Sequence, residues 1–126
     1  MILLQAAAAY MAACQMMNTE MEYQTAYAVA TLKRRLQPHA AFFIEEERKL
    51  AMKHGKKSEG GKVAVDEAGN FEFASAEDAE AFAEAKRALG RIEVQEQIGI
   101  LTAPRPARIR PAQLEALRGF IIFEEG

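Results

Sequence analysis

Few side chains in this sequence belong to the types that carry out metal, nucleophilic or acid–base chemistry. The chain has two histidines, His39 and His54, and one cysteine, Cys14. Zinc sites need histidines four residues apart on a helix, or a cluster of cysteine and histidine, and the separation of His39 and His54 fits neither. Cys14 lies among alanine and methionine, where no base or positive charge would activate a thiolate. We therefore expect no metal site and no catalytic cysteine.

The acidic run Glu45–Glu47 is the remaining candidate for acid–base chemistry. Paired carboxylates serve catalysis when burial separates their pKa values. This run falls instead on the charged side of a predicted helix, beside Arg48 and Lys49, as a solvated face does. The sequence also lacks the phosphate-binding glycine loop, the nucleophile elbow and the zinc-protease motif. We therefore expect neither an enzyme nor a bound cofactor.

Composition favours one globular domain over residues 1–126. Half of the 126 residues are hydrophobic, and 16 basic residues against 18 acidic ones give a net charge of −2. A balance so close to neutral produces no overall basic field, so nucleic acid is not an expected partner. A single cysteine also excludes a disulfide within the chain.

The apolar start, residues 1–17, is predicted to be an Ala/Met-rich helix. A secretory signal begins with positive charge, but the first basic residue here is Lys33. A membrane span needs about 20 predominantly apolar residues, and this run is shorter and contains glutamine. We expect no membrane segment and a location in the cytoplasm.

A long amphipathic helix is predicted over residues 19–54. Its apolar residues recur at steps of three, four or seven, which places them on one face. Pro38 lies inside the pattern and removes a backbone hydrogen bond, so we expect either a kink or a break into a helical hairpin there.

Shorter elements follow the long helix. Two strand-like runs around a Gly/Asn turn predict a β-hairpin that lies against the long helix, and Ser75 begins a capping-box pattern. Apolar residues then alternate with polar ones, which predicts a strand, before a segment rich in proline and arginine. The predicted fold is a helix-dominated α+β domain with these later elements: a hairpin at 62–74, a helix at 76–89, a strand at 91–100, a Pro/Arg linker at 102–111, and a C-terminal helix and tail at 111–126.

These elements resemble a family of short proteins of uncharacterised function from phages and prophages of Gram-positive bacteria. The resemblance rests on the charged half of the long helix (EEERKLAMKHGKK), the hairpin KVAVDEAGNFEF, the strand RIEVQEQIGI and the tail RPAQLEALRGF. It implies a small phage-encoded protein that is made in the cytoplasm of the bacterial host and works by contact with other proteins. It implies no catalytic residues.

The large number of apolar residues also predicts contact with other proteins. A small domain must cover the Ala/Met helix, one face of the long helix, the aromatic hairpin and the run Phe-Ile-Ile-Phe near its end, and an interface between protomers would cover more of this surface. We therefore predict a self-associating, non-enzymatic interaction protein that serves phage particle assembly as an accessory or chaperone-like component. The predicted interaction residues are Met11, Met17, Met21, Leu32, Leu36, Phe120, Ile121 and Phe123.

Two alternatives stay open. A phage-encoded inhibitor would bind a host enzyme or a defence protein, with Arg105, Arg108 and Arg110 contributing to capture. A nucleic-acid accessory factor would use local basic clusters on phosphate, with affinity that falls steeply as salt rises.

Overall fold

The computed structural model describes residues 1–125 as a helix-dominated α+β chain with a small parallel sheet. This confirms the predicted fold class. The elements, in chain order, are α1 (Leu3–Met16), α2 (Tyr23–His54), α3 (Ala76–Gly90), β1 (Leu101–Pro104), α4 (Pro111–Leu117) and β2 (Ile121–Glu124).

Small side chains let α1 lie close against α2. Ala6, Ala9 and Ala13 are fully buried and recur at steps of three and four, so they share one face of α1. Alanine is also the best helix former, which explains a stable helix without acidic or basic capping side chains. The main core contains this alanine face together with Leu32 and Leu36 of α2.

α2 continues through Pro38, so the predicted break into a helical hairpin does not occur. A proline removes the hydrogen bond to the carbonyl four residues earlier, which here belongs to Arg34. Pro38 and Arg34 are both exposed, so water can hydrate that carbonyl. The buried positions on either side, Leu36 and Ala40, hold the helix in the core.

The predicted hairpin is present, in reduced form, as isolated antiparallel bridges. Val65 pairs with Phe71, and Lys57 pairs with Val63 at the base. Its aromatic face packs against Phe82 of α3. The ring of Phe82 lies 5.8 Å from that of Phe71 and 5.2 Å from that of Phe73. We call residues 55–75 the arm.

α3 begins as its sequence predicts. The Ser75 side chain accepts a hydrogen bond from the backbone N–H of Asp78 at 3.1 Å. Glu77 and Asp78 add negative charge to the first turn, where the helix dipole favours it. Only this half of the predicted capping box forms within residues 1–125, since the shorter Asp78 side chain does not bond back to Ser75.

The predicted strand at 91–100 is wrong. Glu93 alone in this segment forms a bridge, to Ile2, and the other residues belong to no strand. An alternating pattern becomes a strand only where a partner strand is available to complete the ladder. The partner exists one segment later, where Leu101 and the next three residues pair with the chain's last apolar run.

The small sheet forms where the Pro/Arg linker (102–111) and the helical tail (111–126) were predicted. β1 pairs in parallel with β2, in the register Leu101↔Ile121 to Pro104↔Glu124. α4 is the crossover between them, as parallel strands require. Gly119, at φ 88°, makes the turn from α4 into β2, a conformation that glycine adopts without steric cost.

Thr25 ties α2 to β1, and its removal is expected to destabilise the fold. The buried hydroxyl donates a hydrogen bond to the Pro104 carbonyl at 2.8 Å. Thr25→Val keeps the shape but leaves that carbonyl without its donor, so we expect a loss of about 1–2 kcal/mol in the free energy of unfolding. Urea denaturation measures this loss.

Thr31→Val is the matched control. The Thr31 hydroxyl donates to the Tyr27 carbonyl within α2 at a half-exposed position. Its loss is expected to change stability by less than about 0.5 kcal/mol. Equal losses at the two positions would contradict a special role for the Thr25–Pro104 bond.

Candidate interaction surfaces

The outer side of the α1–α2 pair carries an apolar surface around a shallow cavity. The cavity has a volume of about 290 Å³ and is lined by Tyr10 of α1 and by Gln37, Ala41, Ile44 and Glu45 of α2. Met11, which follows Tyr10, is 52% exposed, and Ile44 is 49% exposed. We call Tyr10, Ala41 and Ile44 the hairpin patch.

Helical spacing explains why these residues are left outside. The core side of α2 carries Leu32, Leu36 and Phe43, which recur at steps of four and seven. Ile44 is one residue beyond Phe43, so it turns about 100° away from this stripe. The helix therefore presents a large aliphatic side chain on a face that the chain does not cover.

Polar and charged groups border the hairpin patch. Arg48 donates to the Glu45 carboxylate at 2.7 Å, and this hydrogen bond lowers the pKa of Glu45 below its ordinary value. On α1, hydrogen bonding with the Cys14 thiol raises the pKa of the Tyr10 phenol, and partial desolvation adds to this.

Several predicted interaction residues lie in the chain's own core, and these assignments need correction. Leu32 and Leu36 have no exposed surface, and Phe120 and Ile121 are buried beside them. Their apolar side chains are covered by α1, α4 and the sheet, so they are not available to a partner.

The other predicted apolar residues are accessible to different degrees. Met11 and Met17 are exposed, whereas Met21 and Phe123 are half-buried and pack against the main core. Met11 and Met17 therefore remain accessible to a partner, whereas Met21 and Phe123 are accessible only in part.

The three predicted arginines lie at the end of the molecule where α1 turns into α2. Arg105 forms an ion pair with Glu125 at 3.1 Å. Arg108 and Arg110 line a groove of about 670 Å³, whose other lining residues are Gln15, Asn18, Thr19, Ala107, Ile109 and Gln113. No ion pair to Arg108 or Arg110 occurs among residues 1–125, and no carboxylate lines this groove. We call it the arginine groove.

Sequence reasoning missed Tyr10, Ala41 and Ile44. One signal in the sequence could have identified Ile44. It is a large apolar residue that does not fit the three-and-four spacing of the other apolar residues in its helix. Such a position marks exposed apolar surface only once the buried face of the helix is known from the structure.

Titratable side chains form no candidate catalytic cluster in the described part of the chain. His39 pairs with Glu96 at 3.1 Å on the surface, and the Cys14 thiol is free and half-buried. Among residues 1–125, no group of three or more His, Cys, Asp or Glu side chains could hold a metal ion.

Comparisons with known proteins do not assign this chain to a family, so its class is described from its fold and its surfaces. No family model, no curated protein and no solved structure matches the chain. Within residues 1–125, every helix is too short or too polar to cross a bilayer. The chain is thus a helix-dominated α+β protein with an exposed apolar patch on its α1–α2 pair.

Proposed function

We propose that this chain is a non-enzymatic interaction protein of phage or prophage origin that serves particle assembly as an accessory component. It contacts a structural protein of the particle through the hairpin patch. The observation that carries the proposal is the amount of surface that the chain leaves uncovered.

The chain exposes 8562 Å². A compact monomer of the same mass exposes about 6,700 Å², so the excess is about 1,900 Å². A standard protein–protein interface buries about 800 Å² on each partner. An excess of this size supports a chain that is completed by contact with other polypeptides.

The chemistry of the hairpin patch also supports protein contact. Interfaces are enriched in tyrosine and methionine at the centre and have a polar rim. The patch contains Tyr10 and Ile44, and the exposed Met11 follows Tyr10 in α1. Gln37 and the Glu45–Arg48 pair supply the rim. Methionine also adapts its shape to irregular partner surfaces.

Site-specific photo-cross-linking tests the proposal. A photoreactive phenylalanine analogue replaces Ile44 in cells that produce the phage particle proteins, and mass spectrometry identifies the cross-linked products. We expect a cross-link to a structural protein of the particle. The Ile44→Glu variant of the tagged chain should lose co-purification of the same protein, because it places a charge at the centre of an apolar contact.

Val65→Glu is the matched control, since Val65 is an aliphatic residue of similar exposure on the distant arm. It should retain the partner. Equal co-purification by wild type and Ile44→Glu, or no enrichment of a particle protein, would contradict the proposal.

The arginine groove favours a second candidate, a phage-encoded inhibitor that binds an acidic segment of a host protein. Arg108 and Arg110 form no ion pair within the described chain, although Glu20 and Glu22 line the neighbouring cavity with Arg108. Bidentate arginine contacts suit carboxylates. In the same co-purification, the double change Arg108→Glu and Arg110→Glu separates the two functions. Loss of a host protein, with particle proteins unaffected, would favour inhibition.

A further inference from the structure

The two edges of the small sheet differ. The outer edge of β1 faces α2, where the Pro104 carbonyl accepts the Thr25 hydroxyl at 2.8 Å and Pro104 itself has no N–H. This edge is closed to another strand. β2 has no neighbour on its other side, because the described sheet contains only β1 and β2.

The hydrogen bonds show which backbone groups of β2 point outward. Leu101 N–H donates to the Phe120 carbonyl and Arg105 N–H donates to the Glu124 carbonyl, both at 2.9 Å. Backbone groups alternate in direction along a strand, so Ile121 and Phe123 direct theirs away from β1. Within residues 1–125 no hydrogen bond reaches these outward groups. Such an edge is a template for another strand.

A groove lies between β2 and the α4 region. It has a volume of about 460 Å³ and contains Ile121 and Phe123 of β2 with Leu114 and Arg118 of the α4 region. Arg105, Pro111 and Glu115 complete its lining. The groove is apolar near the strand and charged at its rim, as a site for an added strand would be.

We propose that β2 pairs antiparallel with β2 of a second copy of this chain, about a two-fold axis at Ile122, to form a four-stranded sheet. This inference rests on the proposed function in one respect: both take contact between polypeptides as the role of the chain. The occupant is a second copy because β2 is complementary to itself in this register.

Backbone pairing supplies the first complementarity. With Ile122 opposite Ile122, Ile121 faces Phe123 of the second copy, and each of these pairs exchanges both of its outward N–H and C=O groups. The Ile121 and Phe123 side chains stay packed in the core of their own chain, so the backbone groups make this pairing. Ile122, which is 56% exposed in the single chain, is covered by its counterpart.

Charge supplies the second complementarity. In the same register Glu124 lies opposite Phe120 of the second copy, which brings Arg118 of that copy to the acidic end formed by Glu124 and Glu125. The Arg118 side chain is 81% exposed, and its pairing with Glu115 is loose at 3.9 Å. Opposite charges thus meet at both ends of the paired strands.

Disulfide trapping tests the register. Ile122→Cys is made in a Cys14→Ser chain, so that it is the sole thiol. Residues that face each other in such a non-hydrogen-bonded pair have Cα atoms about 4.5 Å apart, within disulfide range. We expect mild oxidation to give a covalent dimer. Ile100→Cys, at an exposed aliphatic position outside β2, is the control and should remain monomeric.

Mass measurement tests the interface without a cross-link. Light scattering over a range of micromolar concentrations should show a dimer, and Ile122→Lys should raise its dissociation constant by at least about tenfold, because two like charges meet at the axis. Circular dichroism should confirm that the variant keeps its fold, since the Ile122 side chain lies on the solvent face. Ile100→Lys should leave the dimer intact.

Two outcomes overturn this inference: a monomer at every concentration, or a dimer that Ile122→Lys does not weaken. Neither outcome decides the proposed function, because cross-linking at Ile44 reads out a different partner at a different surface. Conversely, a β2-paired dimer without capture of a particle protein would leave the inference standing and remove the assembly role.

Discussion

Replacing Leu32 by alanine is expected to lower the free energy of unfolding by about 3 kcal/mol. Leu32 is 0% exposed and lies in the main core between α1, α4 and the sheet. The substitution removes the transfer free energy of the lost carbons and leaves a cavity that close-packed neighbours fill only partly. Guanidinium or urea denaturation, followed by far-UV circular dichroism, measures the change.

Leu4→Ala is the matched control, because Leu4 is half-exposed on α1. The Leu4→Ala substitution should lower the free energy of unfolding by less than about 1 kcal/mol, since much of the deleted side chain is already in contact with water. A small effect of Leu32→Ala on stability, together with a change in oligomeric state, would instead restore Leu32 to the interaction residues.

Replacing Phe82 by alanine is expected to release the arm from α3. Phe82 is buried and is the aromatic ring on which both Phe71 and Phe73 of the arm pack. A buried Phe→Ala change costs about 3 kcal/mol or more. A lone hairpin is only marginally stable in water, so the arm should lose its bridges when this support is removed.

Amide hydrogen exchange locates the effect. The hydrogen bonds from Ala64 N–H to the Lys56 carbonyl and from Glu72 N–H to the Ala64 carbonyl, at 2.8 and 2.9 Å, hold the arm together. These amides should exchange much faster in Phe82→Ala, while those of α1 stay protected. Phe42→Ala, at a half-exposed position on α2, should leave the arm unchanged. Uniform loss of protection across the chain would show that the arm is not a separate unit.

Helices were the most predictable part of this chain because their signals are local. Alanine content predicts α1, the three-and-four spacing predicts α2, and Ser75 predicts the start of α3 to the residue. At Pro38 the sequence left a kink and a break open, because the cost of a proline depends on whether the freed carbonyl reaches water. Whether the carbonyl reaches water depends on which face of α2 is buried, and the sequence around Pro38 does not determine this.

Strands were less predictable because each needs a partner from elsewhere in the chain. The alternation at 91–100 meets no partner beyond Ile2, whereas Leu101–Pro104 and Ile121–Glu124 meet each other across α4. The candidate interaction residues were hard to predict for a similar reason, because exposure also depends on contacts with distant parts of the chain. Leu36 and Met11 are both apolar helix residues, but only packing decides that the first is covered and the second is not.

The amino-acid sequence by itself determined the helix-dominated class, the C-terminal end of α2, the start of α3 and the near-neutral net charge, because propensity, caps and charge act over a few residues. The start of α2 was predicted at residue 19, whereas the helix begins at Tyr23. Tertiary structure alone decided which apolar side chains remain in water, which strands pair and where β2 is left with an open edge. These features depend on contacts between segments far apart in the chain, where the gain from burial must exceed the entropy of bringing them together.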